Sequence, residues 1–216
     1  MNLSTTLPRL QPIIPTRRKE PFDNSDWLFE VKYDGFRGLW YFNRGSARFI
    51  SRNGNQLTRF DALAERVAVA LDINDAILDG EVITTDETGR PQFYDLLRHT
   101  RAPAYVAFDL LWFDGADLRA FPLSERRRLL QAILPTGSPI ISGPLSVVGS
   151  GNKLFELMCA NDLEGIVAKR LVDPYGPRVR SDQKPELLAA GSQGLSVRQA
   201  AAIAFIVRAP SQRSSG

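Results

Sequence analysis

Lys32 is one of only five lysines in a chain of 216 residues that carries 22 arginines, and it stands between two carboxylates, Glu30 and Asp34, at alternating positions. A lysine amine attacks only when neutral, and a free one is largely protonated at neutral pH. A reacting lysine therefore needs neighbouring positive charge, a bound metal included, to favour its neutral form. Other reactive arrangements find little support. The single histidine, His99, has no GxSxG sequence to accompany it and excludes a multi-histidine metal centre. The single cysteine, Cys159, excludes an internal disulfide and a cysteine-rich zinc site. Neither a Walker A sequence nor a GxGxxG fingerprint occurs. Taken alone, Lys32 reads as an ordinary strand lysine with cross-strand ion pairs. Asp34-Gly35 alone is equally ordinary, because Asp-Gly recurs at 79–80 and 114–115 as a turn signal.

The elements that must position these side chains are mostly strands. Residues 1–25 read as an extended lead-in rich in Pro, Thr and Arg. From Trp27 the alternation predicts a strand in which Glu30, Lys32 and Asp34 share one face, followed by a hairpin turn at Asp34-Gly35 into a second strand at 36–42. A short strand at 47–50 precedes the turn Ser51-Arg52-Asn53-Gly54. Thr58 can cap a helix to Leu71, with Phe60, Leu63, Val67 and Leu71 as its apolar stripe. A strand pair interrupted by Asp79-Gly80 is expected over 76–85, and a short helix over 93–99. The apolar run 104–113 predicts a doubly buried strand. Ser124 opens a helix to Leu134 whose solvated face is Glu125, Arg126, Arg127 and Arg128. A strand at 139–148, a helix at 152–160 and a strand at 165–170 complete the pattern. The class this predicts is α+β, with largely antiparallel sheets flanked by helices.

Composition sets the remaining bounds. Net charge is +3, too mild to imply a nucleic-acid partner. Residues 1–172 hold 21 basic and 21 acidic side chains, and the excess lies in 173–216, with six and three. The stretch 176–216 shows no strand alternation, only a possible helix at 195–207, and reads as a weakly ordered tail. No apolar run approaches a membrane span, and no signal-peptide pattern opens the chain, so the expectation is a cytoplasmic protein without membrane association.

The order of the motifs carries more than any one of them. Lys32-Tyr33-Asp34-Gly35-Phe36-Arg37 resembles the KxDGxR signature of the covalent nucleotidyltransferases, which include ATP-dependent DNA ligases, RNA ligases and mRNA capping enzymes. Ser51-Arg52-Asn53-Gly54, Leu78-Asp79-Gly80-Glu81, Phe108-Asp109 and Glu164-Gly165-Ile166-Val167-Ala168-Lys169 are similar to the family's following motifs, in the same order. The flanks Trp27-Leu28-Phe29-Glu30 and 164–170 are most similar to the small ligases and ligase modules of bacterial end-joining systems. The resemblance implies an adenylation domain with an ATP-grasp-like nucleotidyltransferase fold, spanning 1–172, that uses ATP and Mg²⁺ and acts on nicked double-stranded DNA with 5′-phosphate and 3′-hydroxyl ends, with DNA-repair proteins as further partners. It implies Lys32 as the nucleophile that forms lysyl-AMP. Glu30 matches the reader of adenine and Phe108 the aromatic stacked on it. Arg37 and Arg52 match contacts to ribose or phosphate, where a planar fork suits oxygen pairs. Glu81 and Glu164 match oxygen ligands for Mg²⁺, Glu81 serving the nucleotide as well, and Lys169 matches a contact to the α-phosphate.

The resemblance stops at Tyr175. The family's next motif, a W-x-K-x-K strand with phosphate-binding lysines, does not follow; Lys184 precedes Pro185 in no alternating context. The expectation is a tail at 173–216, no following oligonucleotide-binding-fold domain, weak adenylation and severely impaired nick sealing. Two alternatives stay open: an RNA ligase or capping-type enzyme with the same lysine chemistry, and an inactive nucleotide-binding remnant.

Overall fold

Two sheets, each built on a few long apolar strands, divide the chain between them in the computed structural model. It describes residues 7–86, 92–98, 100–176 and 186–189. The first sheet runs in the order β1 (Thr16–Arg17), β11 (Glu186–Ala189), β10 (Gly165–Arg170), β2 (Asp23–Val31), β9 (Ser146–Ser150). The second runs β4 (Ser46–Ser51), β3 (Phe36–Asn43), β5 (Asp75–Ile83), β6 (Ala104–Phe113), β7 (Ala116–Asp117), with β8 (Ile141–Ser142) also on β6. Pairing is antiparallel throughout except at the two-residue contacts β1–β11 and β6–β8. The predicted α+β class with antiparallel sheets is what the chain adopts.

Helices pack against both sheets. Helix α1 (Asp61–Leu71), entered through a 3₁₀ turn at Thr58–Phe60, buries Leu63, Val67 and Leu71 against the second sheet, as the predicted stripe requires. Helix α3 (Leu123–Ile133) packs on β6, and α4 (Gly151–Ala160) packs Leu154 and Met158 on the first sheet. The amide of Asn152 donates to Asp23 Oδ1 at 2.9 Å, which ties the start of α4 to β2. The short α2 (Phe93–Arg98) completes the set.

Five local expectations are corrected. Asp34-Gly35 is no hairpin: β2 and β3 belong to different sheets, so these residues carry the chain across the gap between them. Gly35 is needed there because a Cβ would lie 2.2 Å from the Val82 carbonyl oxygen. Lys32 is not within the strand; β2 ends at Val31, and Lys32 follows in the crossing segment. Asp79-Gly80 does not interrupt β5, which runs through them because a residue without a side chain fits under Tyr105 and the Val106 carbonyl. The expected strand at 139–148 splits into β8 and β9, in different sheets, around Gly143-Pro144. Finally, 186–189 forms β11 where no strand was expected; the expected helix at 195–207 lies outside the described residues, as does His99.

Candidate active site

The two-residue period of the strands brings the sequence motifs to one cleft. On the second sheet, Arg37 of β3 sits opposite Glu81 of β5, and Asp79 lies two residues away on the same face. Asp79 is in turn opposite Asp109 of β6. On the first sheet, Glu30 of β2 pairs with Val167 of β10, so Lys169 shares their face, and Leu187 of β11 pairs with Val167 from the other side. These facing surfaces line a cleft of about 910 Å³, counting the part open to solvent. Ile13 and Pro15 of the lead-in and Asp173 and Tyr175 line it too, so the folded unit extends beyond residue 172.

One group of charges gathers around Lys32. Its backbone N–H donates to the Gly165 carbonyl at 2.9 Å, and its ammonium pairs with the Glu164 carboxylate. Arg37 holds Asp79 through two bonds, Nε to Oδ1 at 2.6 Å and Nη2 to Oδ2 at 2.7 Å. Burial works against the Arg37 charge, yet the Asp79 carboxylate outweighs it and raises the guanidinium above its ordinary range. Glu81 behaves the other way: burial pushes its carboxyl up to about 7, although Arg37 and Lys32 pull it down.

A second group surrounds Glu30, which is 2% exposed. Its Oε2 lies 2.5 Å from Lys169 Nζ, and its Oε1 lies 3.5 Å from Arg127 Nη1 without a hydrogen bond. Phe108 borders both groups, with Lys169 Nζ 5.2 Å and the Arg37 guanidinium carbon 5.3 Å from its ring centroid. Lys169, matched in sequence to an α-phosphate contact, is thus committed to Glu30 and the aromatic. Lys32, Glu30, Arg37, Glu81, Phe108 and Lys169 all line the cleft; Glu164 joins through Lys32; Arg52 stands exposed in the turn after β4 and does not line it.

Three residues, two in α3 and one in the segment after β10, went unread as site residues. Arg126, expected on a solvated face, is 2% exposed and clamps Asp109 at 2.8 and 2.9 Å while donating to the Phe121 and Asp173 carbonyls. Arg127 donates to the Phe108 carbonyl at 2.8 Å. Tyr175 donates a hydrogen bond from its hydroxyl to Asp79 Oδ2. A usable signal existed for Arg126. Leu123, Arg126 and Leu130 recur at the three- and four-residue steps of a buried helix stripe.

The arrangement offers a partly exposed lysine amine, an aromatic surface with a buried carboxylate beside it, and guanidinium and carboxylate groups suited to phosphates and a cation. Comparisons with known proteins point the same way. The family described as "ATP dependent DNA ligase domain" matches residues 15–184. The chain is 34% identical over 161 residues to the multifunctional non-homologous end joining protein LigD of Mycolicibacterium smegmatis, covering 72% of this chain and 20% of that protein. It is 31% identical over 180 residues to the SPbeta prophage-derived DNA ligase-like protein LigB of Bacillus subtilis, covering 80% and 64%. Among solved structures, mycobacterial DNA ligase D complexed with ATP and MES superposes with a TM-score of 0.72 at 29% identity, over 82% of this chain and 59% of that one. The chain therefore spans about a fifth of the LigD relatives it matches. The family match takes in the central strands of both sheets and with them the walls of the cleft, and the chain belongs to the ATP-dependent DNA ligase family, in its adenylation domain.

Proposed function

We propose that the cleft binds ATP with Mg²⁺ and that Lys32 becomes adenylated, as the first step of sealing nicked double-stranded DNA during repair in the cytoplasm. The observation that carries this reading is the shared wall on which Lys32 and the buried Glu30 stand two residues apart, with Phe108 facing them. The Lys32 amine, its proton lost to the solvent it partly meets, attacks the α-phosphorus. The N–P bond forms as the bond to the bridging oxygen breaks, and pyrophosphate leaves with that electron pair. Arg37, held by Asp79, lines the cleft, where phosphate oxygens suit a planar fork.

The donors fit a shared cation rather than a protein cage. Among the described residues, no three His, Cys, Asp or Glu side chains converge as a metal group. Mg²⁺ commonly binds through one or two carboxylates together with substrate phosphates, and Glu81 and Glu164 supply that number. When bound, the cation neutralises phosphate charge. Two further points belong to the same reading. Strand β11 brings Leu187 to the cleft and its four residues hold no lysine, which supports slow adenylation and weak sealing. DNA with a 5′-phosphate and a 3′-hydroxyl, together with DNA-repair proteins, would be the partners.

Incubation with α-labelled ATP and Mg²⁺ tests the proposal. Covalent label is expected on the wild-type chain and not on Lys32→Ala. A chain that never takes label, or a Lys32→Ala variant that keeps it, would overturn the assignment.

A further inference from the structure

We infer that Arg127, a residue outside the ligase motifs, is a positioning residue that sets the base selectivity of the cleft for a 6-aminopurine nucleotide. The inference rests on the adenylation reading above. Arg127 projects from α3, is 16% exposed at its side chain, and does not itself line the cleft. Its Nη1 donates to the main-chain carbonyl of Phe108 at 2.8 Å and lies 3.5 Å from Glu30 Oε1. One guanidinium nitrogen therefore links the strand that carries the aromatic ring to the carboxylate on the opposite sheet.

The chemistry at Glu30 gives that link a consequence. Oε2 is engaged by Lys169, whereas Oε1 is buried and has no hydrogen-bond partner in the protein. A buried carboxylate oxygen left in this condition costs free energy until a donor meets it. Glu30 itself lines a cleft that Phe108 also lines. A purine resting against that ring presents an edge to Glu30. A 6-amino group brings a donor to the Glu30 carboxylate, whereas a 6-oxo group brings a second acceptor and a repulsive contact. Discrimination then depends on the spacing between carboxylate and ring, and Arg127 is the cation that reaches both. Lys169 holds the other oxygen and approaches the ring, but does not bond to the strand beneath it.

Binding of ATP and of inosine triphosphate, its 6-oxo counterpart, to the full chain tests the inference. Affinities are read by ligand-induced thermal shift, with labelling from both α-labelled nucleotides in parallel. Wild type should prefer ATP. Arg127→Met should lose that preference by about tenfold, the scale of one charge-assisted contact, chiefly through weaker ATP binding with inosine triphosphate little changed. Arg127→Lys, which keeps the charge but carries it on a shorter side chain that does not reach both groups from the same backbone position, decides the case if the methionine variant fails to fold; it should show a partial loss of preference. An unchanged ATP-to-inosine ratio in a folded variant, or an equal loss for both nucleotides, would overturn the inference and leave Lys32 adenylation standing. A wild-type chain that binds and labels with neither nucleotide would overturn both.

Discussion

Tyr175 donates its hydroxyl to Asp79 Oδ2 at 2.8 Å, joining residues 96 positions apart, and the same carboxylate holds Arg37 from the other side. The Tyr175 oxygen also accepts from the Ile13 N–H at 3.3 Å, so lead-in, β5 and the segment after β10 meet at one phenol. Burial, reinforced by Asp79, keeps that phenol protonated well above its usual range, so it remains a donor across the working pH range. Tyr175→Phe should destabilise the fold by about 1–2 kcal/mol, the scale of one hydrogen bond to a buried charge. Urea unfolding of the two chains measures it, and an unchanged midpoint would show that the bond contributes nothing net.

Arg126 and Asp109 form the most enclosed ion pair of the described residues, with side chains 3% and 5% exposed. Removing one partner strands the other charge, so Arg126→Met should cost about 3–5 kcal/mol. The double variant Arg126→Met/Asp109→Leu should recover much of that loss, since no charge is then left alone. A double variant less stable than Arg126→Met in denaturant unfolding would contradict this account.

Glu81 supplies a pH dependence. Its folded value of about 7 lies above its ordinary 4.5, so the folded chain keeps a proton that the unfolded chain releases. Its contribution is therefore fully present below about pH 4.5 and is lost as pH rises toward 7. Glu81→Gln should flatten the fall in melting temperature across that interval. Parallel curves for the two chains would show that Glu81 titrates normally.

Two glycines in the same dipeptide should respond differently to alanine. At Gly35 a new Cβ meets the Val82 carbonyl, and Gly35→Ala should cost at least about 3 kcal/mol, because backbone rather than a mobile side chain must move. Gly115 has φ of +80° with nothing within 4 Å, so Gly115→Ala meets only left-handed strain of about 1–2 kcal/mol. Comparable losses at both sites in thermal unfolding would refute the distinction.

The contrast between those glycines also explains what the sequence could convey. Asp-Gly looks alike at 34–35 and 114–115, yet only the second closes a hairpin; whether a chain folds back or crosses to another sheet depends on distant partners. Strand β6 was legible end to end, because burial leaves a nearly continuous apolar record, and the expected bounds of β10 also hold. Glu30, Lys32, Arg37, Glu81, Phe108 and Lys169 were legible as site candidates through ordered motifs, and all line the cleft. Arg126 and Arg127 were hidden by Arg128, since three successive arginines read as a wet surface although helical geometry turns two of them inward. Strand β11 is four residues long, too short for alternation to register.

The crossing at Asp34-Gly35 and the break at Gly143-Pro144 together favour one order of assembly. The main strands of the second sheet come from residues 36–117, one nearly continuous stretch with neighbours close in sequence. The first sheet must gather residues 23–31, 146–150 and 165–170, and its outer edge pairs Thr16 with Glu186. Loop-closure entropy makes the second sheet the early one and delays the first until the chain beyond residue 165 has emerged. During synthesis, Arg37, Asp79 and Glu81 can thus be in register while Glu30 and Lys169 are still apart. Among the described elements, the cleft between the sheets is therefore expected to form last.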